Sequence, residues 1–183
     1  MHTYVSLLRG INVSGKHRLP MITLQNIYQA LGGRQVITYI QSGNVVFQSA
    51  RDTTDLAEEI SAAIQKEFGY TIPVYIQELN FFKKIVTKNP FHNQDPSTLY
   101  VTILGNKTYH IQLTQLASKT WRKDRFHIEE NVVYVHCPDG YGKTAFHNKF
   151  FERKGKIWAT TRNWKTICKL VELATSQQNR AEA

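Results

Sequence analysis

The spacing of apolar and polar residues along the first 77 positions predicts six secondary-structure elements. Runs of β-branched and aromatic residues indicate strands, and apolar residues spaced three and four apart indicate helices. Leu24, Ile27, Tyr28 and Leu31 recur at the helical spacing. In chain order, the predicted elements are strand 3–9, helix 22–31, strands 36–41 and 45–48, helix 52–68 and strand 72–76. This order, βαββαβ, is that of a ferredoxin-like unit.

The second half of the chain has a weaker pattern with a similar order of elements. The predicted elements are helix 78–87, strand 99–104, helix 111–118, strands 125–129 and 132–136, a short helix or turn at 143–151 and a closing helix at 163–174. The similarity lies in the order of elements and not in the sequence. We therefore expect an α+β protein with a ferredoxin-like subdomain at 1–77. It packs on a smaller α+β subdomain at 78–175, and a polar tail at 176–183 is frayed.

The composition predicts a cytoplasmic protein that does not interact with membranes. Hydrophobic residues make up 42% and charged residues 20% of the chain, so it can bury a core. No apolar run approaches the roughly 18 residues of a membrane span, and no signal peptide precedes the first strand. Cys137 and Cys168 form no C-x-x-C pair, which predicts reduced thiols. The seven histidines lie in no metal-ligand spacing, and we expect neither a metal nor a cofactor.

The net charge of +9 is concentrated toward the C-terminus. Residues 143–183 contain nine basic and three acidic residues and so carry two-thirds of the excess. Such a segment attracts phosphates on nucleic acid, nucleotides or membrane lipid. The alternative is that the charge serves solubility and has no particular anionic partner.

Four segments resemble a bacterial family that is catalogued only as a domain of unknown function. They are LLRGINV at 7–13, YIQSGNVVF at 39–47, GYGK at 140–143 and TTRNWKT at 160–166. The resemblance runs from about residue 3 to about residue 174. It implies a small α+β fold with a ferredoxin-like N-terminal part, and it implies no activity, substrate or cofactor. Members often carry a second glycine where this chain has Ser14.

The first candidate site is the start of the closing helix. Asn163 or Thr161 can cap this helix, and its free backbone amides favour a bound anion. Arg162 and Lys165 lie beside these amides in the sequence, and Lys143 can approach from the preceding segment. The alternative is structural, with Arg162 paired to a local carboxylate.

The second candidate site is the loop that follows the first strand. It contains Arg9, Asn12, Gly15 and Lys16, and a glycine-containing loop before a helix can direct backbone amides at a phosphate. The loop matches neither G-x-G-x-x-G nor the P-loop motif, so it specifies no nucleotide. The alternative is a surface loop in which Asn12 bonds its own backbone.

Two other glycine-containing segments have weaker functional interpretations. The segment at 140–144 is not a P-loop, because Cys137 stands where the motif requires its first glycine. Ser42-Gly43-Asn44 is typical of a hairpin turn, since glycine and asparagine tolerate a positive φ. Asn44 remains a candidate ligand-binding residue.

Three functions are compatible with these features. The first is a binding module for phosphate-bearing ligands, possibly nucleic acid, in which exposed aromatic rings beside basic residues stack on bases. The rings concerned are Tyr141, Phe146, Phe150, Phe151, Trp158 and Trp164. The second is an enzyme acting on a small phosphorylated or nucleotide substrate, which requires the candidate residues to converge on one pocket. The third is an interaction protein, with partners that the sequence does not identify, whose motif residues maintain the fold.

Overall fold

The computed structural model describes residues 1–13, 15–105, 123–155 and 157–182. Within these ranges, eight strands form two four-stranded antiparallel sheets, and five α-helices accompany them. The predicted α+β class is confirmed. The helix predicted at 111–118 lies outside the described residues. The chain divides into two compact units, Met1–Lys84 with Lys169–Ala183, and Ile85–Cys168, which we call the first and second units.

The first unit has the ferredoxin-like order that the sequence predicts. Its elements are β1 (His2–Leu8), α1 (Met21–Ala30), β2 (Arg34–Tyr39), β3 (Asn44–Ser49), α2 (Thr53–Phe68) and β4 (Val74–Glu78), after which α3 (Leu79–Thr87) begins. The sheet order is β2-β3-β1-β4, and all neighbouring strands are antiparallel. The helix α2 begins with an N-cap at Asp52, whose Oδ1 accepts a hydrogen bond from Thr54 N at 2.8 Å.

The core of the first unit lies between one face of this sheet and the helices α1 and α2. Leu24, Ile27 and Tyr28 on α1 pack with Tyr4 and other apolar side chains of the sheet. Two hydroxyl groups form a hydrogen bond inside this core, with Ser6 Oγ 2.6 Å from the hydroxyl oxygen of Tyr28. Burial raises the pKa of Tyr28 well above its usual value, so the hydroxyl stays protonated.

The second unit has the same sheet order. Its elements are β5 (Leu99–Leu104), β6 (Arg125–Glu129), β7 (Val132–His136), α4 (Asn148–Gly155) and β8 (Ala159–Asn163), after which α5 (Trp164–Glu182) begins. The order β6-β7-β5-β8 repeats that of the first sheet. The segment at 143–151, predicted as a short helix or turn, contains the end of a 3-10 turn at Tyr141–Lys143 and the start of α4. The strand β8 was not predicted.

Matching backbone hydrogen bonds align the two units residue by residue. Leu8 N donates to Gly43 O at 2.8 Å in the first unit, and Leu104 N donates to Asn131 O at 2.9 Å in the second. The next residues repeat the match, with Arg9 N to Pro73 O at 3.0 Å and Gly105 N to Trp158 O at 2.9 Å. The alignment places the sequence YVSLL at 4–8 on YVTIL at 100–104. The repeat therefore includes sequence in the central strand, which the analysis of element order alone did not find.

The last helix is longer than the sequence predicts. It continues to Glu182 through most of the tail that we expected to be frayed. Gln177 explains the extension, because this residue is buried and bonds the sheet of the first unit. The side-chain amide of Gln177 donates a hydrogen bond to the backbone carbonyl oxygen of Gln35. The backbone carbonyl oxygen of Gln177 accepts one from Gln48 Nε2 at 3.4 Å.

Candidate functional site

The start of α5 is capped by one of the two predicted residues. Asn163 Oδ1 accepts a hydrogen bond from Thr166 N at 2.8 Å, so the protein itself satisfies this amide. Lys165 is exposed nearby. Hydrogen bonds from Ser97 and, to a smaller extent, the charge of Lys165 hold the pKa of Asp95 below its usual value. Lys165 therefore already has a carboxylate close to it.

Arg162 lies inside the sheet of the second unit. The sequence predicts it at a helix start, but it belongs to β8 and its residue is only 8% exposed. Its Nη1 donates to Thr160 Oγ1 at 2.9 Å and to Thr161 O at 3.0 Å. Burial lowers the pKa of Arg162 to about 10. The structural alternative paired Arg162 with a carboxylate, whereas these two bonds go to a hydroxyl and a backbone carbonyl oxygen, as the third hypothesis expects of a residue that maintains the fold.

The aromatic rings of the C-terminal segment do not form an open stacking surface. None of the six is exposed, and Phe146 and Phe151 are completely buried. Tyr141 lies against Tyr100, with the two ring centroids 4.5 Å apart. The base-stacking version of the nucleic-acid hypothesis requires at least two exposed rings beside basic residues. That version is not supported.

The two cysteines lie in surroundings that disfavour a reactive thiolate. Burial raises the pKa of the Cys137 thiol to about 11 and also raises that of Cys168. Among the described residues, no three His, Cys, Asp or Glu side chains are grouped to share a metal ion. In the same part of the chain, no helix is both long enough and apolar enough to cross a membrane.

Asn12 fastens the loop between β1 and α1. Its backbone has a φ of 54°, in the left-handed region that asparagine tolerates better than most residues. Its Oδ1 accepts from Leu19 N at 2.8 Å. Its Nδ2 donates to Leu19 O at 3.0 Å and to Gln41 O at 2.9 Å. The side chain thus joins the end of this loop to the turn between β2 and β3, and it positions whatever the loop presents.

The tip of this loop is a tight turn that presents basic side chains to solvent. Lys16 N donates to Val13 O at 3.0 Å, and Gly15 has a φ of 76°, which glycine adopts at little cost. The ring of His17 lies 4.8 Å from that of Tyr70, which holds the turn against the unit. Lys16 and Arg18 are both exposed.

A shallow depression of about 380 Å³ lies between this loop and the β2–β3 turn. It is lined by Asn12, Gly15, Arg18, Leu19, Pro20 and Gln41. Pro20 is the N-cap of α1, which has no side-chain cap and no acidic residue in its first turn. The amides and the positive dipole end of α1 therefore face this region without a negative side chain to offset them.

The loop beside the depression is positively charged, because residues 9–20 contain Arg9, Lys16 and Arg18 and no Asp or Glu, and the acid-free stretch extends over the first 51 residues. The net charge of residues 1–142, taken as one segment, does not reveal this stretch. Residues 52–142 carry eleven acidic and nine basic residues, and this negative balance offsets part of the positive charge of residues 1–51. An acid-free run of this length was the signal that points to Arg18. Gln41 was also missed, and no sequence pattern distinguishes it.

The other predicted residues of the first unit lie behind this surface. Asn44 is fully buried, and its Nδ2 donates to Tyr39 O at 3.0 Å and to Ser42 Oγ at 2.8 Å. Arg9 is half-buried at the end of β1. Asn12 therefore lines the depression, Lys16 flanks it, and Asn44 supports the turn beside it.

The predicted residues divide between the two units. Arg9, Asn12, Lys16 and Asn44 belong to the first unit, and Lys143, Arg162, Asn163 and Lys165 belong to the second. Lys143 is exposed at the end of its 3-10 turn. The enzyme hypothesis calls for three of these residues in one pocket, and of the eight only Asn12 lines the depression described above.

Fold and surface together define an α+β protein of two units with ferredoxin-like topology and a basic loop on the first. The family model "Protein of unknown function (DUF1697)" matches residues 1–134, and the chain belongs to this family. This confirms the resemblance drawn from the four sequence segments. The fold is similar to that of a conserved bacterial protein from Streptococcus pneumoniae, with a TM-score of 0.76 and 23% identity. The match covers 94% of this chain and 98% of that one. No curated protein matches the chain.

Proposed function

We propose that the first unit binds a phosphate-bearing ligand in the depression beside α1. The observation that carries this proposal is the exposed pair Lys16 and Arg18 at the uncapped start of α1, in a stretch without acidic residues. Cationic side chains and helix-terminal amides are the groups that bind phosphate in proteins.

Each group has a distinct role in this proposal. Arg18 offers a planar fork of N–H donors to two phosphate oxygens, and Lys16 adds a flexible point charge. Asn12 holds the loop in place through its bonds to Leu19 and Gln41 and need not touch the ligand. Because the loop is already fastened, binding orders few additional groups and retains more of the interaction energy.

The ligand of this proposal is a phosphate recognised by its charge and geometry. A small phosphorylated molecule and a nucleic-acid backbone both present such a group. The C-terminal rings offer no open surface for stacking on bases, so sequence-independent phosphate contact is the version of the nucleic-acid hypothesis that remains.

Isothermal titration with pyrophosphate and fluorescence anisotropy with labelled single-stranded RNA test the proposal. We expect Arg18→Gln to weaken binding by about tenfold, the effect of losing one charge-assisted hydrogen bond. Arg34→Gln is the matched control, because it removes the same charge from an exposed position in the same unit. Arg34 lies at the start of β2, at the opposite end of this strand from the depression.

Two outcomes would contradict the proposal. Equal losses in Arg18→Gln and Arg34→Gln, together with binding that disappears at about 0.15 M salt, would indicate nonspecific attraction. An unchanged affinity in Arg18→Gln, with binding intact, would place the ligand elsewhere on the protein.

A further inference from the structure

Exposed aliphatic side chains lie on the chain segments that line the same depression. Among the described residues, four large hydrophobic side chains are exposed: Met1 at 64%, Val13 at 57%, Ile22 at 65% and Ile40 at 52%. Three of the four flank the depression. Val13 is next to Asn12, Ile40 is next to Gln41, and Ile22 follows Pro20 by two positions. We call Val13, Ile22 and Ile40 the aliphatic rim.

Ile40 is held in a backbone conformation that β-branched residues rarely adopt. Its φ is 49°, where the branched side chain crowds its own backbone. Burial in the core does not explain the choice of residue, because half of the side chain is open to solvent. Asparagine or glycine would fit this turn better. An unfavourable residue kept at an exposed position indicates a role outside the fold.

We propose that the aliphatic rim and the basic depression together dock the first unit on an anionic lipid surface. This inference rests on the proposed function and names the source of the phosphate. It departs from the expectation that the protein does not interact with membranes, because docking on a headgroup layer requires no membrane-spanning helix. Val13, Ile22 and Ile40 enter the headgroup layer, where apolar side chains leave water. Lys16 and Arg18 contact the headgroup phosphates, and the absence of acidic residues from the first 51 positions avoids repulsion.

The arrangement favours a lipid surface over the alternatives. Separate aliphatic side chains around a basic centre suit a headgroup layer, whereas nucleic-acid binding by stacking requires planar rings. A second copy of the chain would bring two basic surfaces together and be repelled. A shallow depression of about 380 Å³ has room for one headgroup phosphate and leaves the rim free to insert.

Co-sedimentation of the full-length protein with phosphatidylcholine vesicles, with and without phosphatidylglycerol, tests this inference. We expect the wild type to bind only the vesicles that contain phosphatidylglycerol. The double variant Val13→Ser/Ile40→Asn removes two aliphatic side chains, and asparagine is well suited to the left-handed backbone at position 40. We expect its vesicle partition to fall by about tenfold, with its affinity for pyrophosphate unchanged.

Further variants and binding measurements distinguish a failure of the lipid inference from a failure of the proposed phosphate binding. Lys16→Gln/Arg18→Gln should lose both vesicle and pyrophosphate binding, and Arg34→Gln should retain both. Pyrophosphate binding by a wild type that ignores phosphatidylglycerol vesicles would overturn the lipid inference and leave the proposed function standing. RNA binding without vesicle binding would do the same and indicate nucleic acid. Equal vesicle binding by wild type and Val13→Ser/Ile40→Asn would also overturn the inference, since charge alone would then suffice.

Discussion

The central strands of the two units have nearly the same sequence and register, but their surroundings differ. In the first unit, the Ser6 hydroxyl reaches across to Tyr28 of α1. In the second unit, Thr102 occupies the equivalent position and lies 2.7 Å, Oγ1 to Oγ1, from Thr161 of the neighbouring strand β8. Thr161 in turn donates to Asn148 Oδ1 at 2.6 Å. The same topology therefore has two different interiors. In the first unit the hydroxyls of Ser6 and Tyr28 pair within the core, and in the second unit Thr102, Thr161 and Asn148 form a chain of side-chain hydrogen bonds.

This difference explains why the two most informative motifs have different roles. The TTRN segment at 160–163 forms β8, and its polar side chains bond within the second unit. The side chain of Asn12 fastens the loop after β1, and Lys16 and Arg18 are exposed to solvent. A polar motif therefore belongs to the sheet in the second unit, whereas in the first unit the loop presents exposed basic side chains, to which we assign phosphate binding as a proposal.

The largest effect should come from Arg162→Ala. We expect it to lower the free energy of unfolding by about 3 kcal/mol, because it leaves a cavity and removes the bonds to Thr160 and Thr161. Gln77→Ala, at the equivalent half-buried position of β4, should cost less than about 1 kcal/mol. Urea denaturation followed by circular dichroism measures both. Similar costs at the two positions would contradict the structural role of Arg162.

A smaller effect should separate the two central strands. Ser6→Ala removes the hydrogen-bond partner of the buried Tyr28 hydroxyl and should cost about 2 kcal/mol. Thr102→Val should cost less than about 1 kcal/mol, because Thr161 keeps its bond to Asn148. Thermal and urea unfolding of both variants provide the measurement, and the reverse order of costs would refute this account of the two interiors.

Ile40→Asn should have a smaller effect of opposite sign. Asparagine tolerates the left-handed backbone at this position better than isoleucine does, so we expect a gain of roughly 0.5–1 kcal/mol. Ile37→Asn in the neighbouring strand is the control, and it should be destabilising because its backbone is extended. A loss of stability in Ile40→Asn would show that the isoleucine contributes to packing after all.

The smallest effect concerns pH and the buried residue His136. Burial and, next, the charge of Arg125 lower the pKa of His136, while Asp124 acts in the opposite direction. Arg125 Nη2 lies 3.3 Å from His136 Nδ1. This nitrogen can accept a hydrogen bond from the guanidinium only when the imidazole ring is neutral.

Because the folded state disfavours the charged ring, this contribution to stability is complete above the ordinary pKa of 6.5 and is lost as the pH falls from there through the lower pKa of the folded state. His136→Gln copies the equivalent residue of the first unit, Gln48, and should flatten the stability profile between about pH 7 and 5. Urea midpoints across this range give the measurement. An identical slope in the variant would assign the acid sensitivity to other groups.

The sequence predicts elements well where one face of the element is apolar. The spacing of Leu24, Ile27 and Tyr28 identifies α1, and Glu130-Asn131 identifies the turn between β6 and β7. It fails at β8, because the stretch at 159–163 has no alternation of apolar residues and becomes a strand only by pairing with β5. That failure also placed Arg162 at a helix start.

The candidate site is predictable in part. Gly15 and Lys16 mark the loop from the sequence, and the acid-free run points to Arg18, but the place of Gln41 in the lining of the depression depends on how Asn12 joins two distant turns. Such a contact, between residues 29 positions apart, follows from the tertiary fold and not from local pattern.

The assembly of the first unit from two separated parts of the chain affects how the protein matures on the ribosome. Residues 1–84 emerge first, yet their unit also includes Lys169–Ala183, where Gln177 bonds Gln35 and Gln48. The second unit is continuous in the chain and can finish folding earlier. The N-terminal sheet therefore cannot complete its unit until residues 169–183 have been made, and a premature stop near codon 169 should damage the first-made unit more than the second.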